Sequence, residues 1–134
     1  MNHVGGGART YVTTRSGEVV GYYALAATSI QRADLTFKAA HGMPQPVPAV
    51  LLGRLAVSQK EQAQGLGRYL VRDAIIRTLN AAAIVGVRVL LVHAASEDVR
   101  RFYERFDFEP SPTDPLHLML LLKDARATAG GSSQ

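Results

Sequence analysis

A glycine-containing turn is the segment of this sequence whose residue types are best suited to binding chemistry. Residues 62–67 read Gln-Ala-Gln-Gly-Leu-Gly, and apolar residues recur at helical spacing directly after them. A helix that begins here would point unpaired N–H groups and the positive end of its dipole out of the turn. Gly65 and Gly67 would let an anion approach the backbone, and Arg68 and Arg72 place positive charge beside the first turn. The segment therefore predicts a phosphate or pyrophosphate site.

The spacing of this turn leaves other interpretations open. Two glycines also make an ordinary tight connection between a strand and a helix, which binds nothing. A Walker A loop is excluded because no Gly-Lys-Ser/Thr follows, and a dinucleotide fingerprint is excluded because the third glycine is missing. Gln62, three residues before Gly65, could add donors to a nucleotide that is bound in another way.

The remaining polar residues offer few further candidates for chemistry. His93 and His117 lie in apolar runs and are expected to be packed and hydrogen-bonded rather than catalytic. The chain has no cysteine, which excludes thiolate catalysis, disulfides and cysteine-ligated zinc, and its formal net charge of +4 favours anionic partners. Eight basic residues could form either an RNA-facing surface or ordinary solvated helix faces. They are Arg54, Lys60, Arg68, Arg72, Arg77, Arg100, Arg101 and Arg105.

The strands that must position these residues follow from hydrophobic periodicity. Five runs rich in apolar and β-branched residues predict strands. They cover residues 9–14, 19–30, 49–57, 87–93 and 116–122. Turn residues at 16–18 join the first two strands into a hairpin, and three prolines and a glycine predict a loop over 37–48.

Two amphipathic helices are predicted between the later strands. The first covers residues 65–83 and ends before Gly86, which favours a left-handed stop, and the second begins after Ser96 as its N-cap. Apolar residues of the second helix recur at i, i+3, i+4 and i+7. They are Val99, Phe102, Tyr103 and Phe106. By spacing alone, Tyr103 is one member of that apolar stripe. The resulting order, β-β-loop-β-α-β-α-β, indicates a mixed sheet.

Length and composition predict one globular domain. The chain has 134 residues, of which 47% are hydrophobic. The folded core is expected over residues 9–124, with a flexible segment at 1–8 and a disordered tail at 125–134. No apolar run approaches the roughly 18 residues that a membrane span needs, and the first residues lack a signal-peptide pattern, so a cytoplasmic location without membrane contact is expected.

The order of these motifs resembles one known family. Gln62-x-x-Gly65-x-Gly67 follows an apolar strand and precedes, after a helix and a strand, the segment Phe-Tyr-Glu-Arg-Phe at 102–106. This combination resembles the signature of the GNAT N-acetyltransferases. Within that superfamily, GYYALAATSI, PVPAVLLGRLAV, QGLGRYLVRDAI and FYERFDFEPSPTDPLHLMLLLKD are similar to acetyltransferase toxins of type II toxin–antitoxin systems, and the resemblance extends over nearly all of residues 9–124. It implies an α/β fold with a mixed, mostly antiparallel sheet flanked by helices.

The resemblance also implies the binding site of acetyl-CoA as co-substrate. One set of residues would pair through its backbone with the pantetheine arm, namely Leu55, Ala56 and Val57. Another set would hold the pyrophosphate, namely Gln62, Ala63, Gln64, Gly65, Leu66, Gly67 and Arg68. Tyr103 would act as general acid and protonate the departing thiolate, for which a phenol of pKa about 10 must be well positioned. The implied reaction is a direct transfer to an amine that needs no metal.

The acceptor implied for the toxin subgroup is the α-amino group of an aminoacyl-tRNA, whose acetylation stops translation. An α-amino group of pKa about 7.7–8.0 is partly neutral at pH 7, so no strong general base is demanded. The implied partners are a ribbon-helix-helix antitoxin and, as an open alternative, a second copy of the chain. Two other functions stay open from the residues: acetylation of a small amine or protein N-terminus, and a non-catalytic module that binds CoA or a partner.

Two departures from the family pattern carry expectations of their own. The family's domain usually begins with a strand and one or two helices that shape the acceptor side, whereas eight residues precede Arg9 here. The chain is therefore expected to be short at its N-terminal end, either truncated or completed by a partner. The subgroup usually has glycine at the position of Asp107, so a modest loss of stability without a change of fold is expected.

Overall fold

The computed structural model describes residues 8–125, and these form one six-stranded mixed sheet with α-helices between its strands. The strand order is β1-β2-β3-β4-β6-β5. The strands are β1 (Arg9–Arg15), β2 (Glu18–Ile30), β3 (Val47–Val57), β4 (Val89–His93), β5 (Glu109–Pro110) and β6 (His117–Leu121). The helices are α1 (Phe37–Ala40), α2 (Leu66–Val85) and α3 (Glu97–Glu104). Residues 1–7 and 126–134, where a flexible segment and most of a tail are predicted, lie outside the described residues.

The sheet is antiparallel except for its central pair. β1, β2 and β3 pair antiparallel in chain order, β3 and β4 pair in parallel, and β4, β6 and β5 are again antiparallel. The parallel pair needs a long crossover, and α2 supplies it. The predicted mixed, mostly antiparallel sheet is therefore confirmed, and the central parallel pair becomes the place where two antiparallel halves meet.

Several predicted boundaries follow local turn and capping chemistry. Ser16 and Gly17 both have positive φ, 54° and 82°, which suits the two-residue loop of the first hairpin. Gly86 ends α2 in the left-handed conformation, with φ 74°, as predicted. The Ser96 side chain accepts a hydrogen bond from the Val99 N–H at 3.3 Å, which confirms it as the N-cap of α3.

The two faces of the sheet carry separate hydrophobic clusters. The first face packs beneath α2 and α3, with Leu70, Leu90 and Tyr103 among its buried side chains. The second face packs beneath α1, with Ala39 and Leu91 among its buried side chains. Because side chains alternate along a strand, β2, β3, β4 and β6 contribute to both clusters, whereas β1 contributes only to the first. The alternation identifies the face on which a residue of these strands lies.

The loop predicted over residues 37–48 is wrong at both ends. Thr36 caps the short helix α1, since its Oγ1 accepts a hydrogen bond from the Ala39 N–H at 3.2 Å. β3 begins at Val47 and includes Pro48, whose carbonyl accepts from the Arg88 N–H at 3.0 Å on the β4 side. The N–H that proline lacks would point to that same side, where β4 has only begun, so the ladder with β2 loses no hydrogen bond.

Two further differences lie near the C-terminal end of the described chain. β5 contains only two residues, too few for a periodic signal, and was not predicted. Residues 122–125 form a helical turn, and Ala125 is buried in the first-face cluster, so the ordered chain extends to the first residue of the predicted tail. Asp107 has φ 71°, so the left-handed turn after α3 forms with aspartate in place of glycine.

Candidate active site

The site begins where the two parallel strands separate. β3 and β4 pair from Ala49–Val89 to Leu52–Val92, and β4 ends one residue later at His93. β3 continues for five residues beyond Leu52 and keeps only β2 as its partner. We call the opening between residues 53–57 of β3 and the end of β4 the strand gap. It leaves one edge of a central strand without a partner strand.

A bulge in β3 sets the register of that free edge. The pairing with β2 moves from Leu52–Leu25 to Arg54–Ala24, which leaves Gly53 as the extra residue. A Cβ built on Gly53 has no heavy atom within 4 Å, so the bulge faces open space. After the bulge, Leu55 and Val57 return to the first face and pack against its cluster.

The free edge presents main-chain groups of alternate residues. The Ser58 N–H donates to the Val20 carbonyl at 2.8 Å, so the backbone groups of residue 58 face β2. Because these groups alternate in direction along a strand, those of Ala56 also face β2, whereas those of Leu55 and Val57 face the strand gap. Of the three predicted pantetheine-binding residues, Leu55 and Val57 therefore direct backbone groups into the gap and Ala56 does not.

The predicted phosphate turn has a different local form from the one expected. A 3-10 helix (Gln59–Gln64) precedes Gly65, which has φ 78° and caps α2 at Leu66. The first helical hydrogen bond runs from the Tyr69 N–H to the Gly65 carbonyl at 3.1 Å. Leu66, Gly67 and Arg68 thus contribute N–H groups that donate to no partner among the described residues, and no side chain caps them. These three amides and the helix dipole make an anion site that fits a diphosphate.

The Gln62 side chain is hydrogen-bonded to the protein's own backbone. Its Nε2 donates to the Val57 carbonyl at 3.1 Å. That carbonyl belongs to the strand-gap edge, so the Gln62 side chain ties the end of β3 to the turn. Ala63 and Gln64 lie in the 3-10 helix between Gln62 and Gly65.

A buried carboxylate, which was not predicted from the sequence, forms an ion pair that stabilises the same turn. Glu61 is 6% exposed and accepts two hydrogen bonds from Arg15, at 3.0 Å from Nε and 2.9 Å from Nη2. This bidentate pair links the first hairpin to the phosphate turn. Glu61 stands in a polar run, and its partner is 46 residues away. Only the tertiary fold brings the two together, so no local signal could have found the pair.

The start of α2 packs directly on α3. A Cβ built on Gly67 would lie 3.5 Å from the Phe102 ring and 3.9 Å from the Val57 side chain. Phe102 in turn meets Tyr103 and Phe106 edge to face, with ring centroids 5.1 and 5.3 Å apart. A side chain at position 67 would therefore be in ordinary van der Waals contact with α3, so Gly67 lies at this packing contact and also offers a free amide.

Tyr103 lies on the first face and is 5% exposed. Its ring packs edge to face on Phe108 at 5.5 Å, and its hydroxyl has no hydrogen-bond partner among the described residues. Burial raises the pKa of Tyr103 to about 12, so the phenol keeps its proton at any physiological pH. The same burial would raise the pKa of a thiol formed beside it, which keeps proton transfer to a thiolate feasible. Membership of the apolar stripe and a donor role are therefore compatible.

The prediction that both histidines are packed is wrong. His93 and His117 are cross-strand partners on β4 and β6, and both are exposed. Their rings stack with centroids 4.0 Å apart and an interplanar angle of 19°. Asp114 Oδ2 lies 3.4 Å from His117 Nε2. Although both rings reach solvent, partial burial of His93, and then the charge of His117, lower the pKa of His93.

The eight basic residues differ in whether they form ion pairs. Arg77, Arg100 and Arg101 pair with carboxylates on their own helices, and Arg77 also lies 4.2 Å above the Tyr11 ring. Lys60 lies 4.0 Å from Glu18 with both side chains exposed. Within the described chain, the other four form no ion pair: Arg54, Arg68, Arg72 and Arg105. The three paired arginines are therefore helix-face residues, and the four unpaired ones are free to meet anions.

A mixed sheet with a strand gap, a helix N-terminus beside it and a buried phenol defines a class of acyl-CoA-dependent transferases. Residues 6–110 match the profile of the acetyltransferase (GNAT) domain. The chain therefore belongs to the GNAT family and is an N-acetyltransferase, as predicted. No helix within residues 8–125 is both long and apolar enough to cross a membrane.

Particular relatives are similar over most of the chain. The tRNA-acetylating toxin of Mycobacterium tuberculosis (strain ATCC 25618 / H37Rv) is 58% identical over 129 residues, which are 96% of this chain and 78% of the relative. The structure of AtaT complexed with acetyl-methionyl-tRNAfMet superposes with a TM-score of 0.83 at 31% identity, over 90% of this chain and 75% of AtaT. The structure of AtaTR bound with AcCoA gives a TM-score of 0.76 at 31% identity, over 90% and 74% of the two chains.

Proposed function

We propose that this chain transfers the acetyl group of acetyl-CoA to the α-amino group of an aminoacyl-tRNA and thereby stops translation. The observation that carries the proposal is the strand gap, an opening bordered by the free β3 edge and by the start of α2, which the Gln62–Val57 hydrogen bond joins. We propose that the Tyr103 phenol, buried on the first face of the sheet, reaches the same opening. The similarity to a tRNA-acetylating toxin, at 58% identity, supports this acceptor over other amines.

Each part of the opening has one task in this proposal. The amides of Leu66, Gly67 and Arg68 hold the diphosphate, and the Leu55 backbone groups and the Val57 N–H pair with the amides of the pantetheine arm. The co-substrate supplies an activated acetyl thioester. Tyr103 donates its proton to the sulfur as the acyl–sulfur bond breaks. Gln62 keeps the turn and the strand edge in register through the Val57 carbonyl.

The acceptor and the partners follow from charge and from the relatives. Arg54, Arg68, Arg72 and Arg105 are exposed and carry no ion pair among the described residues, so they can neutralise tRNA phosphates. The relatives include AtaT bound to the C-terminus of the antitoxin AtaR, so we propose an antitoxin partner for this chain too. Because charged tRNA is used where translation occurs, we place the activity in the cytoplasm.

The test is transfer of labelled acetyl from acetyl-CoA in parallel reactions. The acceptors are charged tRNA, uncharged tRNA, a free amino acid and a peptide with a free N-terminus. We expect label only with charged tRNA, and mild base should release it as an N-acetyl amino acid because the aminoacyl ester is labile. Label on the peptide or free amino acid alone would favour a different acceptor class. Acetyl-CoA binding without transfer to any acceptor would indicate a non-catalytic module.

The salt dependence of tRNA binding separates the unpaired arginines from the paired ones. Removing one cation that neutralises a phosphate lowers the slope of log affinity against log salt by about 1. We expect Arg72→Gln to lower the slope and Arg101→Gln to leave it unchanged, since Arg101 pairs with Asp98 on its own helix. An affinity that does not depend on ionic strength would contradict a phosphate-binding surface.

A further inference from the structure

We propose that His93 is the general base of the reaction and takes the proton from the attacking amine on the second face of the sheet. His117 and Asp114 act as positioning residues for its imidazole. The inference rests on the proposed function and adds the group that receives the acceptor's proton.

The first observation is the position of His93 at the closed end of the strand gap. The last parallel pair is Leu52–Val92, so His93 is the first β4 residue beyond it and lies at the level of the Gly53 bulge. Open space surrounds the position of a Gly53 Cβ. A small nucleophile can therefore reach this end of the gap beside the imidazole.

The second observation is that His93 and Tyr103 lie on opposite faces of the sheet. Val92 and Tyr103 belong to the first-face cluster, whereas Leu91 belongs to the second-face cluster. By alternation, the His93 side chain lies on the second face. A thioester held in the gap is then flanked by the phenol on one face and the imidazole on the other, so the two proton transfers of an acyl transfer occur on separate sides.

The third observation is a cavity on the second face that reaches both histidines. Its volume is about 380 Å³, and its floor is formed by apolar strand residues, among them Leu51, Leu91 and Met119. Polar groups of Ser111 and Thr113 line the rim, where they hold the loop before β6 onto Asp34. The cavity can hold the side chain of an acceptor amino acid while its amine reaches His93.

The charges around His93 favour its neutral, proton-accepting form. The stacked His117 ring, 4.0 Å away, disfavours a second positive charge, and Arg54 lies on the same face of β3 by alternation. Asp114 opposes this effect but lies next to His117 Nε2, and Asp34 is engaged by Thr113 Oγ1 at 2.9 Å. Partial burial is the main reason why the pKa of His93 lies below its usual value of about 6.5. At pH 7 the imidazole is therefore free to accept a proton.

The proposed step transfers one acetyl group and two protons. The amine nitrogen donates its lone pair to the thioester carbonyl carbon, and the carbon–nitrogen bond forms as the carbon–sulfur bond breaks. One amine proton passes to a ring nitrogen of His93, directly or through one water, and the Tyr103 proton passes to the sulfur. His93 then releases its proton to solvent and Tyr103 takes one up, which restores both residues.

The main test compares the pH dependence of kcat/KM for wild type and His93→Gln with charged tRNA. Both the acceptor amine, with a pKa of about 7.7–8.0, and a general base of lower pKa give rates that rise with pH. The wild-type log rate should therefore rise with slope 2 below the His93 pKa, with slope 1 between that pKa and the amine pKa, and level off above. His93→Gln should show slope 1 up to the amine pKa and lose about 10²–10⁴-fold in kcat. Initial rates are corrected for hydrolysis of the aminoacyl ester, so that loss of the acceptor does not distort the pH profile.

Two controls separate a base from a structural residue. Added imidazole should restore part of the activity of His93→Ala, because the site is exposed. His117→Asn should lower kcat less than His93→Gln does, through loss of positioning, and should move the acidic limb to higher pH, since it removes the positive neighbour. The affinity for acetyl-CoA should be unchanged in all three variants, because the diphosphate is held at the other end of the gap.

A direct titration supplies a readout that does not depend on activity. The NMR signals of the His93 ring in the wild-type protein should give a pKa below 6.5, and His117→Asn should raise it. The inference about His93 alone would be overturned if the wild type is active and the His93 variants match it in pH slope, rate and response to imidazole. A wild type that binds acetyl-CoA but acetylates no charged tRNA would overturn the proposed function as well.

Discussion

The two ends of the strand gap are built from different kinds of group. In the proposed mechanism, the diphosphate end consists of main-chain amides of Leu66, Gly67 and Arg68, and its side chains act as supports behind them. The proposed reaction end consists of side chains, with Tyr103 on one face and His93 on the other. Backbone sites depend on conformation and tolerate many side-chain changes, whereas side-chain sites fail when one functional group is removed. Substitutions should therefore divide into those that change affinity and those that change rate.

The largest expected effect is on rate, from Tyr103→Phe. Removing the hydroxyl deletes the proposed general acid and leaves the packed ring, so kcat should fall by about 10²–10⁴-fold while the Kd of acetyl-CoA stays the same. Steady-state kinetics and calorimetric titration measure the two quantities. Tyr11→Phe makes the same chemical change on the edge strand β1 and should leave kcat unaltered. Equal rates for Tyr103→Phe and wild type would show that the phenol only packs.

The next effect is on affinity, from Gly65→Ala. The left-handed φ of 78° costs an alanine about 1 kcal/mol and would move the amides that follow it. Loss of one hydrogen bond to a charged group weakens binding by roughly tenfold or more, so the Kd of acetyl-CoA should rise by at least that factor. Gly17→Ala, at φ 82° in the first hairpin, is the matched control. It should lower the melting temperature similarly without changing the Kd.

A smaller effect is expected from the support behind the turn. Arg15→Met leaves the buried Glu61 carboxylate without its bidentate partner and should cost about 1–2 kcal/mol of unfolding free energy. It should also weaken acetyl-CoA binding severalfold. Lys60→Met breaks an exposed pair at 4.0 Å and should change stability by less than about 0.5 kcal/mol. Urea unfolding with and without acetyl-CoA distinguishes the two variants, and similar values for both would show that the Arg15–Glu61 pair does not support the site.

The smallest expected effect lies outside the gap. Asp107 adopts φ 71°, where glycine carries no steric cost but loses more backbone entropy on folding. Asp107→Gly should therefore stabilise the fold by only about 0.5 kcal/mol and raise the melting temperature by a few degrees at most. A much larger rise in a thermal scan would show that aspartate strains this turn more than its tolerance of left-handed conformations suggests.

Local chemistry accounts for what the sequence predicted well. Ser96, Gly86 and the hairpin turn each act through neighbours within a few residues, so their positions could be read from residue types. The start of β3 was missed because Pro48 loses its hydrogen bond on the side where a partner strand has barely begun. Whether a proline breaks a strand depends on that neighbour, which the sequence alone does not identify.

Long-range contacts account for most of what was missed at the site. Glu61 looked like a solvated charge because its partner, Arg15, lies in a distant hairpin. His93 looked like a packed residue because its strand is apolar, although it lies at the last position, where the neighbouring strand has separated. The point of separation is a property of the sheet and has no local sequence signal.

In the proposed complex, the co-substrate takes the place of a missing strand at the unpaired edge of β3. Amide hydrogens of Leu55 and Val57 should exchange with solvent quickly in the free protein, whereas that of Ala56 is already held by β2. Docking of a pantetheine arm should slow the first two and leave the third unchanged. Such alternation, residue by residue, would distinguish a ligand that completes the sheet from one that merely covers it.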